Sequence, residues 1–246
     1  MIPKIIHYCW LSNEPYPEKI QKCIDSWKLH LPDYEFRLWN SASFELSSVP
    51  YVWEAYNAKK WAFCADYIRF YAIYHYGGIY LDSDVFLLKN LDDFLENDFF
   101  MASEPHFFDR RGNKMVKAYP EAAFFGGVKG AVFAKEVLTF YSRKKFRKFY
   151  GYDLTPMPLI LKRLLEKYHY RAIDEDQLLS NEVRIFSSSV FTNVDFPKNN
   201  VYGIHYFAHS WSELSKIHQL AQRWIPGPIY SLLRAIRKEI TELLYD

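Results

Sequence analysis

The sequence predicts a layered α/β fold with a mostly parallel central sheet, and three observations carry that expectation. The chain opens on an apolar run, Ile2 to Trp10, that stops at the breakers Ser12, Asn13, Pro15 and Pro17. A stretch of helical spacing and a second alternating run follow, which makes a β-α-β beginning. A long stretch without Gly or Pro then ends at Gly77-Gly78 and leads into another apolar strand.

Taken in order, Ile5, Ile6, Tyr8 and Trp10 mark the first strand, and Ile20, Ile24, Trp27 and Leu29 mark a helix over Glu18 to Leu29. Tyr34 to Trp39 alternates as the second strand. The next helix is predicted from Ala58 to Tyr76, capped by Asn57, with Gly77-Gly78 able to take positive φ at its end. On it Ala62, Asp66, Arg69 and Ile73 share one face. Ile79-Tyr80-Leu81 reads as a buried strand with Asp82 and Asp84 at its carboxyl end, the edge where open α/β sheets bind ligands. Further on, the pattern predicts a strand over Ala122 to Val128 broken by Gly126-Gly127, and helices over Ala134 to Arg147 and Leu159 to Tyr168. Strands are expected at Val183 to Phe186 and Val201 to His205. Residues 1–222 are expected to form the main domain, with 223–246 a C-terminal amphipathic segment that touches a membrane surface.

Bulk properties narrow the classes of function. Of 246 residues, 50% are apolar and 24% charged, a balance that excludes a disordered chain, and a net charge of +2 gives no reason to expect nucleic-acid binding. Aromatics reach 19%, side chains that fill cores and also stack on flat rings. Cys9, Cys23 and Cys64 are odd in number and lack metal-type spacing, so three reduced thiols are expected, and with them a cytoplasmic location, extending to the inner face of the membrane.

The chemistry centres on Asp82-Ser83-Asp84. Two carboxylates at a strand end share a divalent cation, and hard oxygen ligands suit Mg²⁺ or Mn²⁺, which keeps positions for water and phosphate oxygens. An apolar strand followed by D-x-D also fits the first motif of haloacid dehalogenase-like phosphatases, with Asp82 as nucleophile and Asp84 as general acid/base. A solvated loop pair is the third reading. Asp66 and Arg69 read either as ligand-binding groups or as a surface ion pair one turn apart.

The stretch Ala65-Asp66-Tyr67-Ile68-Arg69-Phe70-Tyr71 through Tyr76-Gly77-Gly78-Ile79-Tyr80-Leu81-Asp82-Ser83-Asp84 resembles the signature of glycosyltransferase family 32. That family holds capsule and lipopolysaccharide sugar transferases, yeast mannosyltransferases and, distantly, glucosylating toxins. The opening Ile2-Pro3-Lys4-Ile5-Ile6-His7-Tyr8-Cys9-Trp10 and the late His205-Tyr206-Phe207-Ala208-His209-Ser210-Trp211 are similar to its first and last blocks, although many relatives carry Gly where this chain has His209. The resemblance implies a GT-A type, Rossmann-like fold and a retaining transferase. It would move a hexose or N-acetylhexosamine from a nucleotide sugar, taken as a UDP-sugar, to a glycan or lipid-linked acceptor in surface polysaccharide synthesis. Under it Trp10 stacks on the donor base, Asp66 and Arg69 bind the transferred sugar, and Tyr80 supports the nucleotide. Asp82 contacts ribose, sugar or metal, Asp84 ligates the metal, and Ser210 and Trp211 close over the diphosphate. His205 is expected as a third ligand because it directly follows an apolar strand. A sugar-binding module without turnover is the non-enzymatic alternative.

Two lesser signals complete the reading. Arg143 to Tyr150 interleaves five basic residues with three aromatics, a composition suited to an anionic membrane surface, as are Trp224, Ile225, Leu232, Leu233, Arg234, Arg237 and Lys238. Asp174, Glu175 and Asp176 are expected as a solvated helix start and a reserve catalytic group.

Overall fold

A Gly-Gly corner and a neighbouring histidine set the geometry on which the rest of the sheet is hung. Strand β1, Ile5–Cys9, lies between β2, Glu35–Trp39, and β3, Gly78–Leu81, and runs parallel to both. His7 in β1 is fully buried; its Nε2 donates to the Gly77 carbonyl at 2.8 Å, and its Nδ1 accepts from Trp39 Nε1 at 3.1 Å. Gly77 and Gly78 take φ of +68° and +117°, and a Cβ on Gly78 would stand 2.6 Å from the Ile5 carbonyl oxygen, so only glycine fits this turn.

The computed structural model describes residues 1–110, 113–193 and 200–207, which up to Phe207 form one compact unit. Helix α1, Glu18–His30, follows β1, and α2, Pro50–Asn57, and α3, Trp61–Tyr76, follow β2. After β3 come β4, Val85–Leu87, β5, Phe99–Arg110, β6, Asn113–Gly127, α4, Val132–Ser142, and α5, Met157–Glu166. Four short strands finish the described chain: β7, Gln177–Leu178, β8, Val183–Phe186, β9, Phe191–Asn193, and β10, Gly203–His205.

The larger sheet has the order β2-β1-β3-β6-β5-β8-β7, with β1, β2, β3, β5 and β8 pointing one way and β6 and β7 the other. The expected α/β class with a mostly parallel sheet is therefore the observed one. The smaller sheet, β4-β10-β9, stands beside it. Helix α1 fixes β4: Trp27 Nε1 donates to the Val85 carbonyl at 2.7 Å, and the Leu87 N–H donates to Ser26 Oγ at 2.9 Å.

Several expectations are corrected. The helix predicted from Ala58 begins instead at Trp61: Asn57 ends the preceding α2 rather than capping α3, and Lys59, at φ +54°, turns the chain between them without any Gly or Pro to signal it. Helix α4 starts at Val132 and stops at Ser142, short of Arg147. Strand β6 is not broken at Gly126-Gly127; those positions lack side chains because the rings of Phe100 and Phe99 lie 2.6 Å from where each Cβ would be. The long β5–β6 pairing and β9 were not foreseen. Asp174 and Asp176 do not start a helix; they accept the Ser188 and Ser187 N–H groups at 2.7 and 2.8 Å and so pin the turn after β8. The expected boundary at 222/223 and the segment 223–246 lie outside the described residues.

Candidate metal and donor site

Strand β3 is buried at every position and ends where the backbone of Asp82 donates to the Ala123 carbonyl of β6 at 2.9 Å. A turn then closes, with Val85 N–H to the Asp82 carbonyl at 3.0 Å, and β4 leads away. The turn holds Asp82 and Asp84 at the mouth of the sheet, with side chains 27% and 14% exposed. Solvated loop aspartates would be more open and less engaged.

Asp82 is fixed from two sides. Tyr80, two residues earlier and buried, donates its hydroxyl to Asp82 Oδ1 at 2.8 Å, and Arg69 Nη2 stands 3.4 Å from the same oxygen. Burial holds the Tyr80 phenol well above its ordinary range, so it stays a donor. Arg69 is 4% exposed: its Nη1 donates to the Ala122 carbonyl at 2.7 Å, its Nε to the Ala65 carbonyl at 3.1 Å, and its plane lies 4.8 Å from the Tyr80 ring. Asp66 Oδ1 is 3.4 Å from Arg69 Nη2, and Asp66 is 6% exposed, so the surface ion-pair reading is excluded. Burial pushes the Asp66 carboxyl up to about 7, against the pull of Arg69 and with the help of Asp82. For Arg69, burial works against the charge, and Asp82, Tyr80 and Asp66 more than restore it. Asp82 is the member of this trio that faces outward.

His205 reaches the pair through register. Strand β10 runs antiparallel to β4 with His205 opposite Val85, and the Tyr206 N–H donates to the Asp84 carbonyl at 3.1 Å. His205 Nε2 is 3.4 Å from Asp84 Oδ1, and its Nδ1 is 3.0 Å from Glu121 Oε1. Burial alone would lower the imidazole's pKa, but Asp84 and Glu121 together raise it well above its ordinary value. One atom each from Asp82, Asp84 and His205 lie within 4.8 Å of one another. Octahedral ligands at about 2.1 Å from an ion sit about 3 Å apart, so two carboxylates and an imidazole at these separations fit a divalent cation.

Glu121 escaped the sequence reading. Between the partners of Met101 and Ser103, four residues of β6, Glu121 to Phe124, face the single residue Ala102 of β5. This bulge turns Glu121 and the Ala122 carbonyl toward the site. Pro120, unable to donate to the ladder, and a charged residue before the apolar run Ala122 to Phe125 were the signals on offer.

Of the other expected residues, Trp10 directly follows β1, the strand next to β3. Its indole N–H donates to the Glu14 carbonyl at 2.7 Å, and its ring meets Tyr16 edge-on at 5.1 Å. Ser210 and Trp211 lie outside the described residues. The three cysteines are free and buried, as expected.

Part of the chain is similar to known proteins. Residues 17–101 match the glycosyltransferase sugar-binding region containing DXD motif. The chain is 44% identical over 106 residues to inositol phosphoceramide mannosyltransferase 3 of Schizosaccharomyces pombe, covering 38% of this chain and 27% of that protein. It is 27% identical over 180 residues to inositol phosphoceramide mannosyltransferase 1 of the same yeast, covering 68% of this chain and 52% of that one. The chain thus spans between a quarter and about half the length of these relatives. A solved glycosyltransferase involved in glycosylation of the major capsid of PBCV-1 overlaps loosely, with a TM-score of 0.49 and 12% identity over 82% of this chain and 93% of that one. The matched region contains both aspartates, which sets the phosphatase alternative aside. Residues 17–101 are thus similar to the glycosyltransferase sugar-binding regions of the DXD type, and Asp82-Ser83-Asp84 is the D-x-D within the match.

Proposed function

We propose that this chain is a retaining glycosyltransferase that moves a hexose or N-acetylhexosamine from a nucleotide-sugar donor to a glycan or lipid-linked acceptor. The convergence of Asp82, Asp84 and His205, from segments far apart in sequence, is the observation that supports this reading best.

In it, Asp84 and His205 hold a divalent cation together with Asp82, and the mixed carboxylate and imidazole set favours Mn²⁺ over Mg²⁺. The cation, when bound, offsets charge on the departing nucleoside diphosphate. The protein's own part is positional. Glu121 fixes the imidazole so that Nε2 faces the ion. Tyr80 and Arg69 clamp one oxygen of Asp82 and leave the other for ion, ribose or sugar. Asp66 accepts from sugar hydroxyls beside Asp82, and Trp10 supplies a flat face for the base. Because Arg69 is occupied by two carbonyls and two carboxylates, its contribution is to hold Asp82 and Asp66 in place.

The test is a panel of UDP- and GDP-sugars with Mn²⁺, read as released nucleoside diphosphate, with and without chelator. Chelator-sensitive release from one donor, abolished by Asp84→Asn with thermal unfolding in the absence of metal little changed, is the expected result. Donor binding without release from any member of the panel would instead mean a sugar-binding module.

A further inference from the structure

Helix α4 ends at Ser142, so the basic-aromatic run after it is not a helix face. Residues 146–153 fold into a small hairpin. Arg147 and Tyr152 pair across it as an antiparallel bridge, the Asp153 N–H donates to the Phe146 carbonyl at 2.8 Å, and the Lys148 N–H donates to the Gly151 carbonyl at 3.0 Å. Its base is pinned. Phe146 is fully buried, edge-on to Tyr51 at 5.5 Å and stacked on Tyr152 at 5.1 Å, and Glu54 accepts the Arg147 N–H at 2.8 Å. Asp153, 7% exposed, accepts from the Thr155 hydroxyl and pairs with Lys144 and Lys148 at 3.0 and 3.2 Å.

The tip is the opposite of its base. Phe149 and Tyr150 are 91% and 89% exposed, their rings edge-on to each other at 4.6 Å, and Tyr152 and Leu154 are half exposed beside them. One exposed aromatic is ordinary, but two adjacent ones on a pinned turn leave apolar area in water that the fold could have covered. Arg143, Lys145 and Arg147 flank them in sequence as exposed cations, while Lys144 and Lys148 share Asp153, the single acid between residues 143 and 154.

We propose that this hairpin is a membrane-docking element, with Phe149 and Tyr150 entering the headgroup region of an anionic bilayer and the surrounding cations meeting lipid phosphates. An aromatic tip in a cationic collar is complementary to that surface, apolar at depth and negative at the rim. Holding the turn by Phe146 and Asp153 means little ordering is left to do on contact. No helix among the described residues is long and apolar enough to cross a membrane.

The experiment is co-sedimentation of the full chain with phosphatidylglycerol-containing vesicles against pure phosphatidylcholine. Wild type is expected to sediment with the anionic vesicles and to be released by salt. Phe149→Ser/Tyr150→Ser and Lys145→Gln/Arg147→Gln are each expected to lower partitioning on the order of tenfold. In Phe149→Trp, brominated lipids should quench indole emission beyond the wild-type level. The proposal is overturned if wild type stays in the supernatant, if both double variants sediment like wild type, or if brominated lipid quenches Phe149→Trp no more than wild type. Single-stranded nucleic acid that binds the hairpin more tightly than vesicles do would also overturn it.

Discussion

Glu121 and Asp84 face opposite nitrogens of the same imidazole: Oε1 of Glu121 lies 3.0 Å from Nδ1 of His205, and Oδ1 of Asp84 lies 3.4 Å from Nε2. A carboxylate behind a histidine fixes its ring and tautomer and raises its basicity toward an ion. Glu121→Ala is therefore expected to weaken Mn²⁺ binding about 10- to 100-fold, a magnitude usual for such outer partners. Electron paramagnetic resonance of free Mn²⁺ during titration reads this directly. Unchanged affinity would mean that His205 is not a ligand.

Tyr80→Phe removes one hydrogen bond to Asp82 while keeping the ring under Arg69. The expected cost in stability is about 1 kcal/mol. Donor turnover should fall more than unfolding free energy does, because the freed carboxylate loses its fixed direction. Equal losses in the two measurements would make Tyr80 a packing residue only.

Arg69→Met should be severe. It leaves Asp66 and Asp82 without their shared cation, and breaking a buried pair from one side costs about 3 to 5 kcal/mol. Arg69→Lys is not expected to rescue, since an ammonium cannot reach the Ala65 and Ala122 carbonyls and both carboxylates together. Chemical denaturation of the two variants decides this, and near-native stability for the lysine variant would refute the fork geometry.

His7 gives a pH dependence with a definite sign. Burial lowers its pKa from 6.5 to about 4, helped by Arg37 and opposed by its bond to the Gly77 carbonyl. A depressed folded-state value means that the stability is present above pH 6.5 and is lost as pH falls toward 4. The span corresponds to about 3 kcal/mol. Urea unfolding at pH 7 and pH 4 should show this loss in wild type and a markedly smaller one in His7→Asn, even though that variant starts less stable. The same pH slope in both would sink the assignment.

How much could be read in advance follows from how local each feature is. The Gly77-Gly78 corner, β3 and the two aspartates lie within eight consecutive residues, so pattern alone placed them. His205 was within reach because an apolar strand precedes it. Its partnership with Glu121 was not, since it depends on a bulge in β6 and on the pairing of β10 with β4. The break between α2 and α3 depends on Lys59 in a left-handed conformation, which lysine does not advertise. Burial of Asp66 and Arg69 was hidden for a similar reason: helix α3 is covered nearly all round by its neighbours, and its own periodicity does not show which polar residues go inside.

The β4–β10 pairing also bears on how the protein holds together. An ion gripped by Asp84 and His205 would tie together positions roughly 120 residues apart, and its binding free energy would be gained by the folded chain alone. The ion is then a staple as well as a reagent. Melting temperature should climb with free Mn²⁺ in proportion to the logarithm of its concentration above the dissociation constant, even when no nucleotide sugar is present.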